Sequence, residues 1–182
     1  IDRDAFPLHA LTQRPMQHYH AWGSQNAWLR QITAANRLFM HRATAANLGI
    51  ADDDWVWVIG SAGRVKGQVR LVEGVNPHTV WTWNAIGKRA GAWNLSKDAN
   101  ESQEGCLLNH VISEWLPAQD GHRSANAYPI TGQAAWYDVR VRIAPAHADE
   151  PAESWPQFSA MKPVAGMPRE APRRQGWTAG IM

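Results

Sequence analysis

The segment 54–72, DWVWVIGSAGRVKGQVRLV, decides which fold the sequence predicts. Residues 54–60 carry apolar side chains at both sets of alternating positions, so both faces of this predicted strand are apolar, as in a strand closed inside a barrel. Residues 61–63 predict a hairpin turn, and residues 64–72 return as a second strand. Polar side chains such as Lys66 alternate with valines there, which predicts that this second strand is partly exposed.

Four more short strands flank this hairpin. Their β-branched and aromatic runs span residues 6–11, 36–40, 79–84 and 136–143. One short helix is predicted over 24–32, and if the segment before it is an ordinary loop without a ligand, Ser24 is the N-cap of this helix. A second is predicted over 43–48 and ends before Gly49, and a short helix or compact turn is predicted within 104–116. Many short strands with few helices favour a mainly β fold, namely a β-barrel.

Composition excludes several classes of function. A chain of 182 residues can form one domain with a sizeable core, and its net charge of +2 with scattered lysines and arginines argues against nucleic-acid binding. The single cysteine, Cys106, excludes an internal disulfide and an iron–sulfur cluster ligated by cysteines of these residues alone. No run of 18 apolar residues occurs that would span a membrane. A chain that begins at Ile1 predicts a fragment or a processed subunit.

Two segments lack the periodicity of regular elements. Residues 85–100 predict a long loop, and loops of that length in compact domains are usually functional. Residues 145–182 are rich in proline, alanine, glutamate and arginine, which predicts an extended tail that stays flexible or lies over a partner. The predicted organisation is therefore a barrel domain over 1–144 followed by the tail over 145–182.

The polar segment 11–32, LTQRPMQHYHAWGSQNAWLRQI, is the best candidate for a binding site. Its arginine, histidine and amide side chains, interspersed with tryptophans, suit a polyanionic, planar ligand that forms hydrogen bonds. The alternative is an ordinary loop and helix start without a ligand.

Elsewhere, residues 52–54 are three adjacent aspartates without the spacing of metal ligands, and they predict a solvated turn.

Several of these features, in order, resemble the C-terminal dinucleotide-binding domain of the molybdopterin oxidoreductases, the dimethyl-sulfoxide-reductase family. The resemblance covers residues 6–144. It begins with Thr12-x-Arg14, His18 and Asn26-x-Trp28-Leu29, and continues through NRLFMHRATAANLGIADDDWVWV (36–58), EGVNPHTVW (73–81), Asn109 and YPITGQAAWYDVRVRI (128–143).

This resemblance implies a six-stranded double-psi β-barrel with short helices. The implied ligand is molybdopterin guanine dinucleotide, two copies of which (bis-MGD) hold molybdenum. The implied cofactor-binding residues are Thr12, Arg14, His18, Asn26, Asn109, Gln133, Trp136 and Tyr137. The sequence departs from the family pattern at Tyr128, where an acid is frequent, and at Tyr137, where a lysine is frequent.

The segments RPMQHYHAWGSQNAWLRQI (14–32) and TVWTWNAIGKRAGAWNL (79–95) are similar to the catalytic subunits of membrane-associated sulfite dehydrogenases. They imply a part of an enzyme that oxidises sulfite to sulfate by oxygen-atom transfer. In the family the metal ligand and the iron–sulfur cluster belong to other domains, so this chain holds no catalytic residue and no metal ligand, and alone it is expected to be inactive. The implied partners are the remaining domains of the catalytic subunit, a membrane anchor and an iron–sulfur electron-transfer subunit, with a cytoplasmic location beside the membrane.

Other readings stay open at this point. The barrel could be a free-standing molybdopterin-binding subunit, or part of a family member acting on thiosulfate, polysulfide or formate. In another class, it is a non-catalytic β-barrel interaction module whose tryptophans dock a partner. His20 or Arg30 could also line a cationic funnel for the substrate oxyanion.

Overall fold

A computed structural model describes residues 2–20, 22, 26–33, 35–84, 86, 106–112, 116, 124–134 and 139–150. The strands are β1 (Leu8–Gln13), β2 (Leu38–His41), β3 (Trp55–Gly60), β4 (Arg64–Val72), β5 (Thr79–Trp83) and β6 (Arg140–Pro145). Two short α-helices, α1 (Ala27–Ile32) and α2 (Arg42–Asn47), and a 3-10 helix at Leu108–Val111 accompany them. Most of the predicted loop 85–100, Trp136, Tyr137 and residues 151–182 of the predicted tail lie outside the described residues.

The six strands form a closed barrel in the order β1-β5-β2-β4-β3-β6. β1 pairs with β5 and β2 with β4 in parallel, whereas the other four neighbouring pairs are antiparallel. Parallel neighbours need crossover connections, so the two parallel pairs interleave distant parts of the chain. Closure pairs every strand on both sides and leaves no open edge. The prediction of a mainly β, six-stranded barrel with short helices is confirmed.

The barrel interior is filled by aliphatic side chains at alternating strand positions. Those from which solvent is fully excluded include Leu38, Met40, Val56, Val58, Val69, Val80 and Val141. β3, predicted to be apolar on both faces, buries Trp57 on its outer face like the inward Val56 and Val58, whereas Trp55 and Ile59 are half-buried. The Trp57 indole N–H donates to the Glu150 carboxylate at 2.6 Å, so the chain after β6 covers this face.

β4 is partly exposed as predicted, at Arg64 and Arg70, but Lys66 on the same strand is only 1% exposed. Its ammonium lies 4.9 Å from the centre of the Trp55 ring and donates to the carbonyls of Ala148 and Glu150 at 2.9 and 2.7 Å. Residues 146–150 fold back over the outer face of β3 and β4, and the Ala146 N–H donates to the Trp55 carbonyl. The alternation of polar residues suggests that this outer face is exposed to solvent. A segment about 80 residues later in the sequence covers part of it instead.

The helix limits differ from the predicted ones. α1 begins after Asn26, whose side-chain oxygen accepts from the Trp28 N–H at 2.9 Å, so the N-cap is Asn26 rather than Ser24. α2 ends before Gly49 as predicted, with a φ of 66° that favours glycine. Of the short helix or compact turn predicted within 104–116, the described part forms a single 3-10 turn, which agrees with a compact turn. In the described ranges no helix is both long and apolar enough to cross a membrane.

Candidate cofactor-binding site

The candidate site lies at the end of the barrel where β1 and β5 both finish, which we call the β1–β5 rim. Gln13 pairs with Trp83 in parallel register, and the Asn84 N–H donates to the Gln13 carbonyl at 2.7 Å. β2 is antiparallel to β5, and β6 is antiparallel to β1, so both of them start at this rim. The polar loop that follows β1 therefore meets the chain leaving β5 and the chain entering β2 and β6.

Asn36 holds three of these segments together. Its side-chain nitrogen donates to the carbonyls of Trp83, Ile86 and Cys106 at 2.7, 2.9 and 2.8 Å. Its side-chain oxygen accepts from the Trp83 N–H at 3.0 Å. The amide is buried, and both its nitrogen and its oxygen bond backbone groups, so Asn36 is a structural residue of the rim. No local signal in the sequence distinguishes it from other asparagines.

Two glycines let residues 106–112 lie against the barrel near this rim. A Cβ at Gly67 would lie 2.9 Å from the Cys106 sulfur, and a Cβ at Gly60 would lie 2.8 Å from the Val111 carbonyl oxygen. Gly60 is the last residue of β3 and pairs with Val141 near the start of β6. The short 3-10 helix is therefore held at the rim, and Asn109 is exposed on it.

His18 carries the clearest sign of an incomplete site. Its side chain is 4% exposed, yet its Nδ1 has no hydrogen-bond partner within the described part of the chain. The Oδ1 of Asn84 is also buried without a partner among those residues. A buried polar atom left unpaired costs about 1–3 kcal/mol, so such atoms call for an explanation. His18 follows β1 and Asn84 follows β5, so both unpaired atoms belong to the β1–β5 rim.

Nη1 of Arg37, a third buried atom without a hydrogen-bond partner among the described residues, belongs to a different surface. It lies 3.6 Å from an oxygen of Asp53, which precedes β3. Arg37 adjoins the inward-facing Leu38 in sequence and so sits on the outer side of the barrel. It is not part of the site built by His18 and Asn84.

The predicted residues of the first loop have different surroundings. Arg14 is exposed directly after β1 and is available to a ligand, and Thr12 is half-buried in β1 opposite Thr82. The Asn26 side chain caps α1, so its oxygen is already used. His20 is exposed with a φ of 49°, and the Arg30 side chain lies outside the described residues.

The predicted residues of the last loop do not join the rim through any described contact. Gln133 is exposed in a tight turn, where its carbonyl accepts from the Tyr128 N–H at 2.7 Å. Gly132 in the same turn has a φ of 69°. Trp136 and Tyr137 lie outside the described residues. The structure thus brings Arg14, His18 and Asn109 to one end of the barrel, together with Asn84, which no sequence motif indicated.

The distribution of charge favours an anionic ligand at the rim. From Ala5 to Ala51 the sequence contains no aspartate or glutamate, and Arg14 follows β1 at the rim. Of the other arginines in this segment, Arg37 pairs with Asp53 and Arg42 with Glu73, away from the rim. The acidic turn lies at the opposite end of the barrel, where Asp52 accepts from the Leu71 N–H at 2.8 Å and from Arg70 at 3.1 Å. These contacts, the Leu71 N–H first and Arg70 after it, hold the pKa of Asp52 below its ordinary value.

The chemistry of the rim suits a phosphate and a heterocycle edge better than a metal ion. Imidazole, amide and guanidinium groups donate to or accept from such ligands in several directions. Among the described residues no three histidine, cysteine, aspartate or glutamate side chains are grouped to bind a metal.

Comparison with known proteins agrees with this assignment. The family model described as Molydopterin dinucleotide binding domain matches residues 8–129. The chain is 52% identical over 181 residues to a sulfite dehydrogenase subunit of Allochromatium vinosum, covering 99% of this chain and 19% of that protein. It is 29% identical over 85 residues to the thiosulfate reductase molybdopterin-containing subunit PhsA of Salmonella typhimurium, covering 47% of this chain and 11% of that protein.

A solved structure shares the fold. Acetylene hydratase from Pelobacter acetylenicus aligns with a TM-score of 0.58 at 16% identity, over 79% of this chain and 19% of that one. The chain thus spans about a fifth of the length of the Allochromatium relative. The family match, the barrel and the resemblance of the motifs agree, and the chain belongs to the molybdopterin dinucleotide binding domain family.

Proposed function

We propose that this chain is the cofactor-binding part of the catalytic subunit of a molybdenum-dependent sulfite dehydrogenase. The observation that carries the proposal is the 52% identity to the Allochromatium sulfite dehydrogenase subunit over 99% of the chain. The match to the thiosulfate reductase subunit is shorter and weaker. Sulfite is therefore the preferred substrate, and thiosulfate is the alternative that an assay must separate from it.

The residues of the β1–β5 rim fit the edge of a pterin guanine dinucleotide. A pterin or guanine edge offers adjacent donors and acceptors, and the buried His18 Nδ1 and Asn84 Oδ1 lack partners among the described residues. Asn84 Oδ1 accepts a hydrogen bond, whereas His18 Nδ1 donates or accepts according to its tautomer. Both atoms are already shielded from water in the folded chain, so binding would give them hydrogen-bond partners at no further cost of desolvation.

The exposed residues fit the phosphates and the outer part of the same ligand. Arg14 can pair with a diphosphate in bidentate geometry, and an acid-free segment around it avoids repulsion of that anion. Asn109, exposed beside the rim, offers a further amide. Gln133, Trp136 and Tyr137 remain proposed contacts on the strength of the sequence resemblance.

In the proposed enzyme, the rim residues of this chain would hold one end of a dinucleotide whose molybdenum would supply oxygen-atom transfer, so that sulfite and water give sulfate, two protons and two electrons. The share of this chain is to bind the dinucleotide, to orient it and to keep water from its polar edge. The protein ligand to the metal and the iron–sulfur clusters belong, in this proposal, to parts outside the chain. Electron-transfer and membrane-anchor subunits would then carry the electrons away.

The test is an assay of the complete catalytic subunit purified with its partner subunits. Acid oxidation should release a fluorescent pterin and guanine nucleotide, metal analysis should find molybdenum, and a dye acceptor should be reduced when sulfite is added. Oxidation of a reduced dye by thiosulfate, without reduction of the oxidised dye by sulfite, would contradict the proposed substrate. Absence of pterin would instead contradict the proposed cofactor.

A further inference from the structure

Three arginines share the outer face of the barrel wall that β4, β3 and β6 form. Ile59 of β3 pairs with Arg64 of β4 on one side and with Arg142 of β6 on the other. Paired residues point to the same face of a sheet, and Arg140 shares that face because it lies two positions before Arg142. The valines that adjoin these residues in sequence fill the core, so this face is the outer one. We call Arg64, Arg140 and Arg142, with Ile59 among them, the arginine patch.

The arginine patch is compact. Arg64 and Arg142 lie on either side of β3, about 10 Å apart, and Arg140 and Arg142 are about 7 Å apart along β6. Arg64 and Arg142 are exposed, and Arg140 and Ile59 are half-buried. Three positive charges thus surround one apolar side chain.

Two of these arginines are held in place by uncharged groups. The guanidinium of Arg64 lies 4.0 Å from the centre of the Trp57 ring. That of Arg140 donates to two backbone carbonyls before β1, each at 3.3 Å, and lies 2.9 Å from Nε2 of His9. A guanidinium only donates, so this imidazole nitrogen accepts the hydrogen bond. These contacts fix the two cations and leave their charge uncompensated.

The arginine patch differs in this respect from other arginines of the barrel. Arg37, Arg42 and Arg70 each lie 3.1–3.6 Å from an aspartate or glutamate oxygen. Among the described residues, none of the patch arginines forms an ion pair, and the three strands that carry the patch contain no acid. Fixed cations without counterions create a positive potential that attracts an anionic partner.

The acids that border the arginine patch in the described ranges are bonded elsewhere. The Glu150 carboxylate accepts from the Trp57 indole N–H at 2.6 Å and from the His147 N–H at 3.0 Å. The Asp2 carboxylate, in the turn before β1, accepts from the N–H groups of the two residues that follow Arg3, at 2.9 and 3.2 Å. Within the part of the chain that the structure describes, these carboxylates leave the patch without a counterion.

The chemistry of the arginine patch favours a carboxylate-rich protein surface over a nucleic acid or a membrane. Guanidinium groups bind carboxylates through two parallel hydrogen bonds, and arginine is enriched at protein interfaces. The net charge of +2 does not provide the extended basic field that a polynucleotide needs. The one apolar side chain, Ile59, is half-buried, so the patch has no protruding group to insert into a bilayer.

The polar character of the arginine patch also indicates that its partner folds separately. Surfaces that are buried permanently between parts of one folded unit are mostly apolar. Chains that fold first and associate afterwards present charges that steer their encounter. In the proposed enzyme, the subunits that carry the electrons away are chains of this kind.

We infer that the arginine patch is a docking surface for another subunit of the same enzyme. This inference rests on the proposed function. The docking face of the other subunit carries carboxylates at spacings of about 7–10 Å, which match the arginines, around an apolar side chain that meets Ile59.

The first test measures how tightly complete catalytic subunits bind the other subunits. Arg64→Gln/Arg142→Gln removes two charges of the patch, whereas the control Arg42→Gln/Arg70→Gln removes two charges that are paired with acids. We expect the patch variant to bind at least about tenfold more weakly at physiological ionic strength, with a Kd that depends less on salt. The control should bind like the wild type, and sulfite-dependent dye reduction should be equal in all three proteins.

The second test identifies the molecule that meets the arginine patch. In Arg64→Lys/Arg142→Lys each new amine can displace the activating group from a carboxylate treated with a carbodiimide, which forms an amide and releases a urea. Mass spectrometry of the complete enzyme should find amides between positions 64 or 142 and aspartates or glutamates of another subunit. Amides only to the catalytic subunit itself, or to a second copy of it, would overturn the inference.

Equal binding of the other subunits by the patch variant and the control variant would also overturn the inference. Vesicles of phosphatidylglycerol test the membrane as the partner. Co-sedimentation of the isolated catalytic subunit with these vesicles, lost in the patch variant but kept in the control, would overturn the inference in favour of lipid headgroups.

Pterin content and sulfite-dependent dye reduction, measured on the same samples, separate this inference from the proposed function. Weaker subunit binding by the patch variant in preparations that hold no pterin would support the inference and contradict the proposed cofactor. Full pterin content and activity together with unchanged subunit binding would do the reverse.

Discussion

Two asparagines at the same end of the barrel differ in what their side chains contact. The amide of Asn36 bonds four backbone groups at 2.7–3.0 Å, whereas the Asn84 oxygen is buried without a partner in the described ranges. A residue that is fully satisfied by the backbone supports the fold. A residue that keeps an unpaired buried atom is poised for a ligand.

Asn36→Ala should lower the free energy of unfolding by roughly 3 kcal/mol or more, because it leaves three carbonyls and one N–H without their partner. Urea denaturation of the chain measures this loss. Asn47→Ala, at an exposed position at the end of α2, is the control and should change the value by less than about 0.5 kcal/mol. Equal effects of the two substitutions would refute the structural role of Asn36.

Asp52 lies at the end of the barrel opposite the β1–β5 rim and makes the stability of the chain depend on pH. Its folded-state pKa lies below the ordinary 3.8, chiefly because the Leu71 N–H donates to the carboxylate. Stabilisation by a group with a lowered pKa is present above the unfolded-state value and is lost as the pH falls through the folded-state value. Wild type should thus exceed Asp52→Asn in stability at neutral pH, and the difference should vanish well below pH 3.8.

Urea denaturation at a series of pH values checks this expectation, with Asp4→Asn in the exposed N-terminal turn as the control. A difference between wild type and Asp52→Asn that stays constant down to the lowest pH would show that the carboxylate is not stabilised as described. Arg70→Gln should reproduce part of the effect, since Arg70 is the second group that favours the charged form.

At the scale of elements, two glycines decide how closely the segment 106–112 approaches the barrel. Gly67→Ala places a Cβ 2.9 Å from the Cys106 sulfur and should cost about 1–3 kcal/mol. Gly60→Ala should cost more, because the obstacle is the Val111 backbone carbonyl, which yields less readily than a side chain. Gly74→Ala meets nothing within 4 Å and serves as the control.

A double substitution isolates the predicted clash. Cys106→Ala removes the sulfur that the new Cβ meets, so Gly67→Ala should be less destabilising in that background than in the wild type. Chemical denaturation of the four variants of this cycle gives the coupling energy. Strict additivity would contradict the described contact.

Lys66 fastens the chain that follows β6 to the outer face of the barrel. Lys66→Met keeps most of the buried side-chain volume but removes the donor to the carbonyls of Ala148 and Glu150, so we expect a loss of about 1.5–3 kcal/mol. Hydrogen exchange at Ala146–Glu150 should become faster at the same time. Arg142→Met, at an exposed position on β6, is the control, and similar exchange in the two variants would contradict the fastening role.

The sequence predicted the elements whose causes are local. The limits of β4 agree with the predicted 64–72, and Gly49 follows α2 as expected, because alternation and helix termination act over a few residues. Lys66 contacts Ala148, which follows it by 82 positions, and Asn36 contacts Cys106, which follows it by 70 positions. Hydrophobic periodicity describes neighbouring positions and does not encode such contacts. For the same reason the sequence motifs included His18 among the candidate binding residues but did not include Asn84.

For the whole molecule, the barrel explains how distant segments meet. Parallel pairing of β1 with β5 places the loop around His18 beside Asn84, and the glycines of β3 and β4 admit the segment that carries Asn109. The barrel and the family are established by the structure and the family match, whereas the bound dinucleotide and the substrate are proposals. The central proposal is that the β1–β5 rim binds the dinucleotide.

The most direct measurement of that claim compares the molybdenum and pterin guanine dinucleotide content of the complete catalytic subunit with that of its His18→Ala/Asn84→Ala variant. Two lost hydrogen bonds of about 1 kcal/mol or more each lower cofactor affinity by at least about tenfold. The variant should therefore lose most of its cofactor on dialysis while its free energy of unfolding, measured without cofactor, stays the same or rises. Wild-type cofactor content in the variant would contradict the account.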